Sequence, residues 1–256
     1  MMYTKRPGFI APGRLIWTLP VLIAVITGLW VWKGTSLQTY LQRNASEKIK
    51  SIGTSILSPS GPWVEGLDLS HHQRHIDWEL LTRENKPAFI FFKATEGTTH
   101  QDSRYHNYIK EGRKRDILSG AYHFFSYTSP GESQAKNFIK TARLKSGDLF
   151  PVLDVEFRRN MPSDAWIISN IATFCNEIEK EYGIKPIIYC ECDYYEKYLQ
   201  IGFSDYAYWI SDMHRTPRCN WILWQYTDKA EIRGIRGGVD KNRVHPETNL
   251  LDYILK

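Results

Sequence analysis

Hydrophobic and polar positions follow a different pattern in each stretch of this chain. Between Leu15 and Trp32 the run LIWTLPVLIAVITGLWVW carries 18 residues without a charge. At about 1.5 Å per residue it spans roughly 27 Å, close to the hydrocarbon thickness of a bilayer. Trp17, Trp30 and Trp32 stand towards its ends, where indole rings favour the interface, and Pro20 falls in the first turns, where a missing hydrogen bond is tolerated. A core helix would show a polar face, and this segment has none, so the pattern predicts a transmembrane helix. Lys5, Arg6 and Arg14 precede it, which keeps residues 1–14 in the cytoplasm and exports the rest. A cleaved signal peptide, the rival reading, would want a small-x-small site just after the apolar run. The chain continues Val31-Trp32-Lys33, so an uncleaved anchor is expected.

Residues 33–63 are polar and rich in serine and glycine, with Pro59 and Pro62 near the end. They read as a tether, with a short helix possible over Leu37–Ile49. From Val64 onward, short apolar runs alternate with amphipathic stretches. The runs expected as strands are Val64–Leu69, Ala88–Thr95, Leu118–Phe125, Phe150–Glu156, Pro186–Cys192, Tyr208–Met213, Trp221–Thr227 and a short one ending at Asp240. Between them His106–Arg115, Glu132–Leu144, Asp164–Tyr182 and Tyr194–Gln200 read as helices. Strand–helix alternation predicts a parallel α/β sheet over 64–256, and the strand number suggests closure into a barrel whose last strands are joined by loops.

Composition narrows the function only a little. Aromatic content of 14% supplies faces for sugar rings but equally fills cores. The net charge of +5 comes from dispersed basic residues, which argues against a nucleic-acid partner. Cys175, Cys190, Cys192 and Cys219 form no C-x-x-C pair and no zinc-finger spacing, so they read mainly as packing residues, with any disulfide connectivity open.

The strand ends carry the candidate chemistry. Parallel barrels place reactive groups at the carboxyl ends of their strands. Here those ends hold Asp68, Glu96, Tyr122-His123-Phe124, Asp154-Val155-Glu156 and Asp240. In PVLDVEF, Asp154 and Glu156 are two apart on a strand and share a face, with Cα atoms roughly 6.6 Å apart. Crowded, partly buried carboxylates cannot all ionise, and one kept protonated near neutral pH is what cleaves a glycosidic bond by protonating the leaving oxygen. A D-x-E pair also occurs by chance in many proteins; its apolar setting at a strand end is what singles it out. His71, His72 and His75 raise zinc as another reading, but nothing supplies the rest of a ligand set.

In order and spacing these motifs resemble glycoside hydrolase family 25, the Chalaropsis-type muramidases, over about 64–245. They are GLDLS (Asp68), FFKATEG (Glu96), GAYHFF (Tyr122), Gln134-Ala135 with Phe138, PVLDVE (Asp154, Glu156), KPIIYC (Tyr189), YWIS (Trp209), WQYTD (Trp224, Gln225) and GVDKNR (Asp240). The resemblance implies an irregular TIM-like (β/α)5β3 barrel acting as a monomer on peptidoglycan, with no metal or organic cofactor. It implies cleavage of the β-1,4 bond between N-acetylmuramic acid and N-acetylglucosamine. Carried over, Glu156 is the general acid/base and Asp154 orients the substrate's own N-acetyl group as nucleophile; a direct carboxylate nucleophile stays open. Asp68 and Asp240 complete the catalytic group, while Glu96, Tyr122, Tyr189, Trp209, Trp224 and Gln225 bind the sugars. Met213 stands where the family pattern has an aromatic, and His71-His72 replaces a more mixed pair. A non-catalytic wall-binding tether and another N-acetylhexosamine glycosidase are the alternatives.

Overall fold

The computed structural model describes residues 63–256. The expected cytoplasmic segment 1–14, the anchor 15–32 and residues 33–62 of the linker lie outside the described residues. Among the described residues no helix is long and apolar enough to cross a membrane.

The strands are β1 (Glu65–Leu69), β2 (Phe89–Glu96), β3 (His100–Gln101), β4 (Leu118–Phe124), β5 (Val152–Asp154), β6 (Ile187–Glu191), β7 (Tyr208–Ser211), β8 (Leu223–Ala230) and β9 (Val239–Val244). The helices are α1 (Trp78–Asn85), α2 (Tyr105–Lys114), α3 (Gly131–Ala142), α4 (Asp164–Tyr182) and the short α5 (Cys192–Tyr194), which continues as a wide π turn over Tyr195–Leu199. The sheet order is β1-β9-β8-β7-β6-β5-β4-β2, and β1 pairs back onto β2, closing an α/β barrel. β3 only folds back on the end of β2.

Strand alternation explains why β2 reads as an unbroken apolar run. Phe89 and Phe91 point into the barrel, with Val152, Ile187, Trp209 and Leu223, while Ile90 and Phe92 point outward under the helices. A strand buried on both faces has no polar side to show. Two glycines make room for the interior rings. A Cβ on Gly66 would meet the Phe89 ring at 2.5 Å, and one on Gly120 would meet Phe91 at 2.4 Å. Outside the barrel, Ala135 and Phe138 of α3 and Ile167, Ile171 and Phe174 of α4 complete the second core.

Three expectations change. The pattern does not predict the helix α1, because WELLTREN is mostly polar. It is started by Asp77, whose side chain caps the Leu80 N–H at 2.9 Å, and held by burial of Trp78 and Leu81. The last strand begins at Val239 rather than ending at Asp240, and runs antiparallel to both neighbours. Cys192 and Cys219 are joined in a disulfide rather than packed as thiols, whereas Cys175 and Cys190 are free and buried.

Candidate active site

The same alternation that fills the barrel builds the cleft above it. Continuing the inward positions towards the strand ends gives Asp68 on β1, Lys93 on β2, Tyr122 and Phe124 on β4, Asp154 on β5, Tyr189 on β6, Ser211 beyond Trp209 on β7, and Gln225 on β8. All of these line one cavity of about 370 Å³, together with Glu156, Glu191, Met213, Asp228 and Asp240. Asp240 reaches this mouth because its strand is antiparallel: its amino end lies level with the carboxyl ends of the others, and it pairs with Asp68 directly.

Asp68 is held from several sides. Its Oδ2 accepts from Gln225 Nε2 at 3.0 Å and from Asn242 Nδ2 at 2.9 Å. Gln225 is fixed in turn by Tyr189, whose hydroxyl donates to its Oε1 at 2.7 Å, and Asn242 by the Trp209 indole N–H at 2.9 Å. The Asp68 and Asp240 carboxyls are hydrogen-bonded to each other. Burial raises the pKa of both; the donors around Asp68 favour its charged form, and Asp68's charge helps push Asp240 up to about 9. The pair therefore holds a proton more firmly than an isolated carboxyl does, and Asp68's charge draws it towards Asp240.

Asp154 and Glu156 form the second acid pair. Burial and the neighbouring Glu156 push Asp154 well above the carboxylate range. Burial also raises Glu156, opposed by Arg158, whose guanidinium lies 3.1 Å from Glu156 Oε2. Asp154 Oδ1 is buried with no hydrogen-bond partner among the described residues. A buried polar atom in that state is costly unless a ligand supplies a donor. Tyr127 steadies the segment beyond β5, donating to the Glu156 backbone carbonyl at 2.9 Å.

Beneath the mouth, His123 fixes α3 to the sheet. The Gln134 amide N–H₂ donates to Ser126 and Ser129 carbonyls, so its Oε1 accepts from His123 Nε2 at 3.0 Å, and His123 Nδ1 accepts from Thr95 at 2.7 Å. Burial lowers this imidazole to about 4, keeping it neutral.

Some expected binding residues lie elsewhere. The β2–β4 register slips between Lys93 and Thr95, and Glu96 beyond the slip does not line the cavity; Lys93 Nζ holds its carboxylate at 2.7 Å. Trp224 follows Leu223 and precedes the inward Gln225, so it points out of the barrel, where its indole N–H donates to the Asp212 carbonyl at 2.8 Å. Trp209 is only 2% exposed and forms the cavity floor rather than a stacking wall. The histidines diverge: His71 is bound to Asp102 at 2.8 Å, His72 lines the cavity, and His75 lines a separate depression. Lys93, Glu191, Ser211 and Asp228 of the cavity lining, and Arg158 beside Glu156, are not among the expected site residues.

Known proteins carry the same barrel. The model of Glycosyl hydrolases family 25 matches residues 67–235. Escherichia coli YegX is 31% identical over 214 residues, covering 80% of this chain and 78% of that protein. Lysozyme M1 of Streptomyces globisporus is 28% identical, covering 70% of this chain and 67% of its own length. A solved family 25 glycosyl hydrolase from Bacillus anthracis superposes with a TM-score of 0.68 at 30% identity, covering 74% of this chain and 93% of that one. Since the family match runs from the first barrel strand to the loop before the last and takes in every parallel strand, the chain belongs to glycosyl hydrolase family 25 and is a glycoside hydrolase.

Proposed function

We propose that the chain is a muramidase, hydrolysing the β-1,4 bond between N-acetylmuramic acid and N-acetylglucosamine in peptidoglycan. The observation that carries this reading is the Asp154–Glu156 pair lining the cavity, with Asp154 Oδ1 buried and without a hydrogen-bond partner among the described residues. The N–H of the substrate's acetamido group supplies a donor, which turns its carbonyl oxygen onto the anomeric carbon. This hydrogen bond favours an ionised Asp154 and leaves the pair's proton on Glu156.

The carbonyl oxygen then attacks the anomeric carbon as the glycosidic C–O bond breaks, and Glu156 gives its proton to the departing oxygen. The resulting oxazolinium is opened by water, whose proton returns to the Glu156 carboxylate, restoring the acetamido group with retained configuration. Asp68, Asp240 and Gln225 shape the subsite below, and Tyr122 and Tyr189 contact the sugar. General-acid help is worth about a hundred- to ten-thousand-fold. In full-length protein, Glu156→Gln should lower release of new reducing ends from peptidoglycan by at least about a hundredfold while strand binding persists. Near wild-type turnover would refute the assignment. A covalent sugar ester trapped on a carboxylate would replace the acetamido nucleophile with a protein one.

We also place the catalytic domain, 64–256, outside the cytoplasm, tethered by 33–63 to an anchor at 15–32. The uncharged run with its basic flank and the Cys192–Cys219 disulfide support this, since such bonds persist in oxidising compartments. The chain should fractionate with membranes and be cut by protease added from the exported side. Recovery of a soluble form beginning after Trp32 would overturn the anchor.

A further inference from the structure

The position of Arg158 conflicts with acid catalysis by its neighbour. A general acid must hold a proton when the glycosidic bond breaks, yet a guanidinium 3.1 Å from Glu156 Oε2 favours the carboxylate. The other groups facing Glu156 are Asp154 at the end of β5, Asp68 from β1, Lys93 from β2, Glu191 from β6 and Asp240 from β9. Of these only Lys93 is a cation, and it is committed: its side chain is 12% exposed and its ammonium is bound by Glu96. Arg158 is different. Its side chain is 48% exposed, it lies beyond the end of β5, and its guanidinium rests 4.6 Å from the centre of the Phe124 ring. Stacking of this kind holds the planar group at the cleft edge while leaving its N–H fork available.

Charge around the cleft is also uneven. Lys93 and Arg158 each lie against the Phe124 ring of β4, while Asp228 stands on β8 across the cavity. An anionic sugar is therefore drawn to the Phe124 side, where Arg158 is the accessible cation.

We propose that Arg158 selects glycan strands bearing a carboxylate, by transferring its guanidinium from Glu156 to the carboxylate of the bound muramic acid and so releasing Glu156 to hold the catalytic proton. This rests on the reading of Glu156 as the acid. Arg158 is then a specificity residue whose contact with substrate also switches the acid on. A neutral N-acetylhexosamine strand of the same shape leaves the ion pair in place and is cut slowly. In the free enzyme Lys93 and Arg158 oppose protonation of both acids, but at Glu156 Arg158 is the largest influence after burial, whereas at Asp154 burial and the charge of Glu156 come first.

The test uses full-length wild type, Arg158→Gln and Arg158→Lys on native glycan strands and on strands whose muramic carboxyl has been reduced to an alcohol. Wild type should prefer native strands, and R158Q should lower that preference, as a ratio of kcat/KM values, by about tenfold. R158Q should also cut the reduced strands faster than wild type, an increase that simple structural damage would not produce. In kcat/KM, which reads the free enzyme, the alkaline limb of R158Q should lie at higher pH, because loss of the cation raises Glu156, and R158K should restore the wild-type limb. Equal effects of R158Q on both substrates, or an unmoved alkaline limb, would overturn the transfer. Glu156→Gln on native strands separates the two ideas: if it remains active, the acid assignment itself fails; if it is inactive while R158Q shows no change in preference, only the transfer fails.

Discussion

Trp224 and Gln225 are adjacent in WQYTD, and a regular strand cannot aim both into one cleft. Gln225 is the inward member, committed to Asp68 and Tyr189, so Trp224 must face out, where it packs against Trp221 and Tyr226 under Arg243. It is 8% exposed and hydrogen-bonded, so its removal should be felt in stability. Trp224→Ala should cost about 3 kcal/mol in denaturant unfolding, from lost burial and a cavity. Its KM for glycan strands should stay close to that of the wild type; a large rise in KM with unchanged stability would restore a stacking role. The outward direction of Trp224 is legible in the residues alone once Gln225 is taken as inward. Lys93 was legible on the same ground, two positions after the interior Phe91. Arg158 was not, since it lies past the strand end, where period-two alternation no longer fixes direction.

At the scale of elements, the strongly apolar strands were legible because burial on both faces leaves a sequence run that little else produces. Asp154 and Glu156 were read correctly as companions: both line the cavity, and Val155 between them is buried in the outer core. What the pattern did not convey was strand direction. VDKNRV in β9 carries no mark of running antiparallel; only closure of the barrel against β1 and β8 decides it. Asp240 was expected at the right mouth from the wrong end of its strand. The disulfide was equally hidden, because Cys192 and Cys219 are brought together by α5 and the β7–β8 loop, neither of which has a hydrophobic period. That loop has no helix to pack it, and it carries Met213, a wall of the cavity. The cross-link thus ties part of the cleft to the segment following β6, giving a long connection the restraint that helices provide elsewhere.

For the whole molecule, the clustered acids and the buried imidazole make stability depend on pH in opposite directions. His123 is neutral in the folded state with its pKa lowered by burial to about 4, while an unfolded histidine titrates near 6.5. Its contribution is therefore lost as pH falls from about 6.5 towards 4. Asp240 behaves inversely. Burial and Asp68 raise it to about 9, whereas an unfolded aspartate titrates near 3.9. Between those values the folded state retains a proton that the unfolded chain has released, so stability falls as pH rises. Asp240→Asn removes that titration, and its amide N–H can still donate to Asp68. Because Asp68 shares the proton, the gain at neutral pH should be roughly 1–2 kcal/mol, or a few degrees in Tm. Thermal unfolding of wild type and D240N from pH 4 to pH 8 checks this. The two should converge as pH falls towards 4, where the unfolded Asp240 has regained about half its proton, and diverge with rising pH as D240N becomes the more stable. Turnover should fall in the same variant, since a group that stores proton affinity at a cost in stability is there for the reaction. A constant offset in Tm across the range, or a less stable D240N at pH 8, would mean that Asp240 is not protonated in the fold and that the Asp68–Asp240 pair does not share a proton.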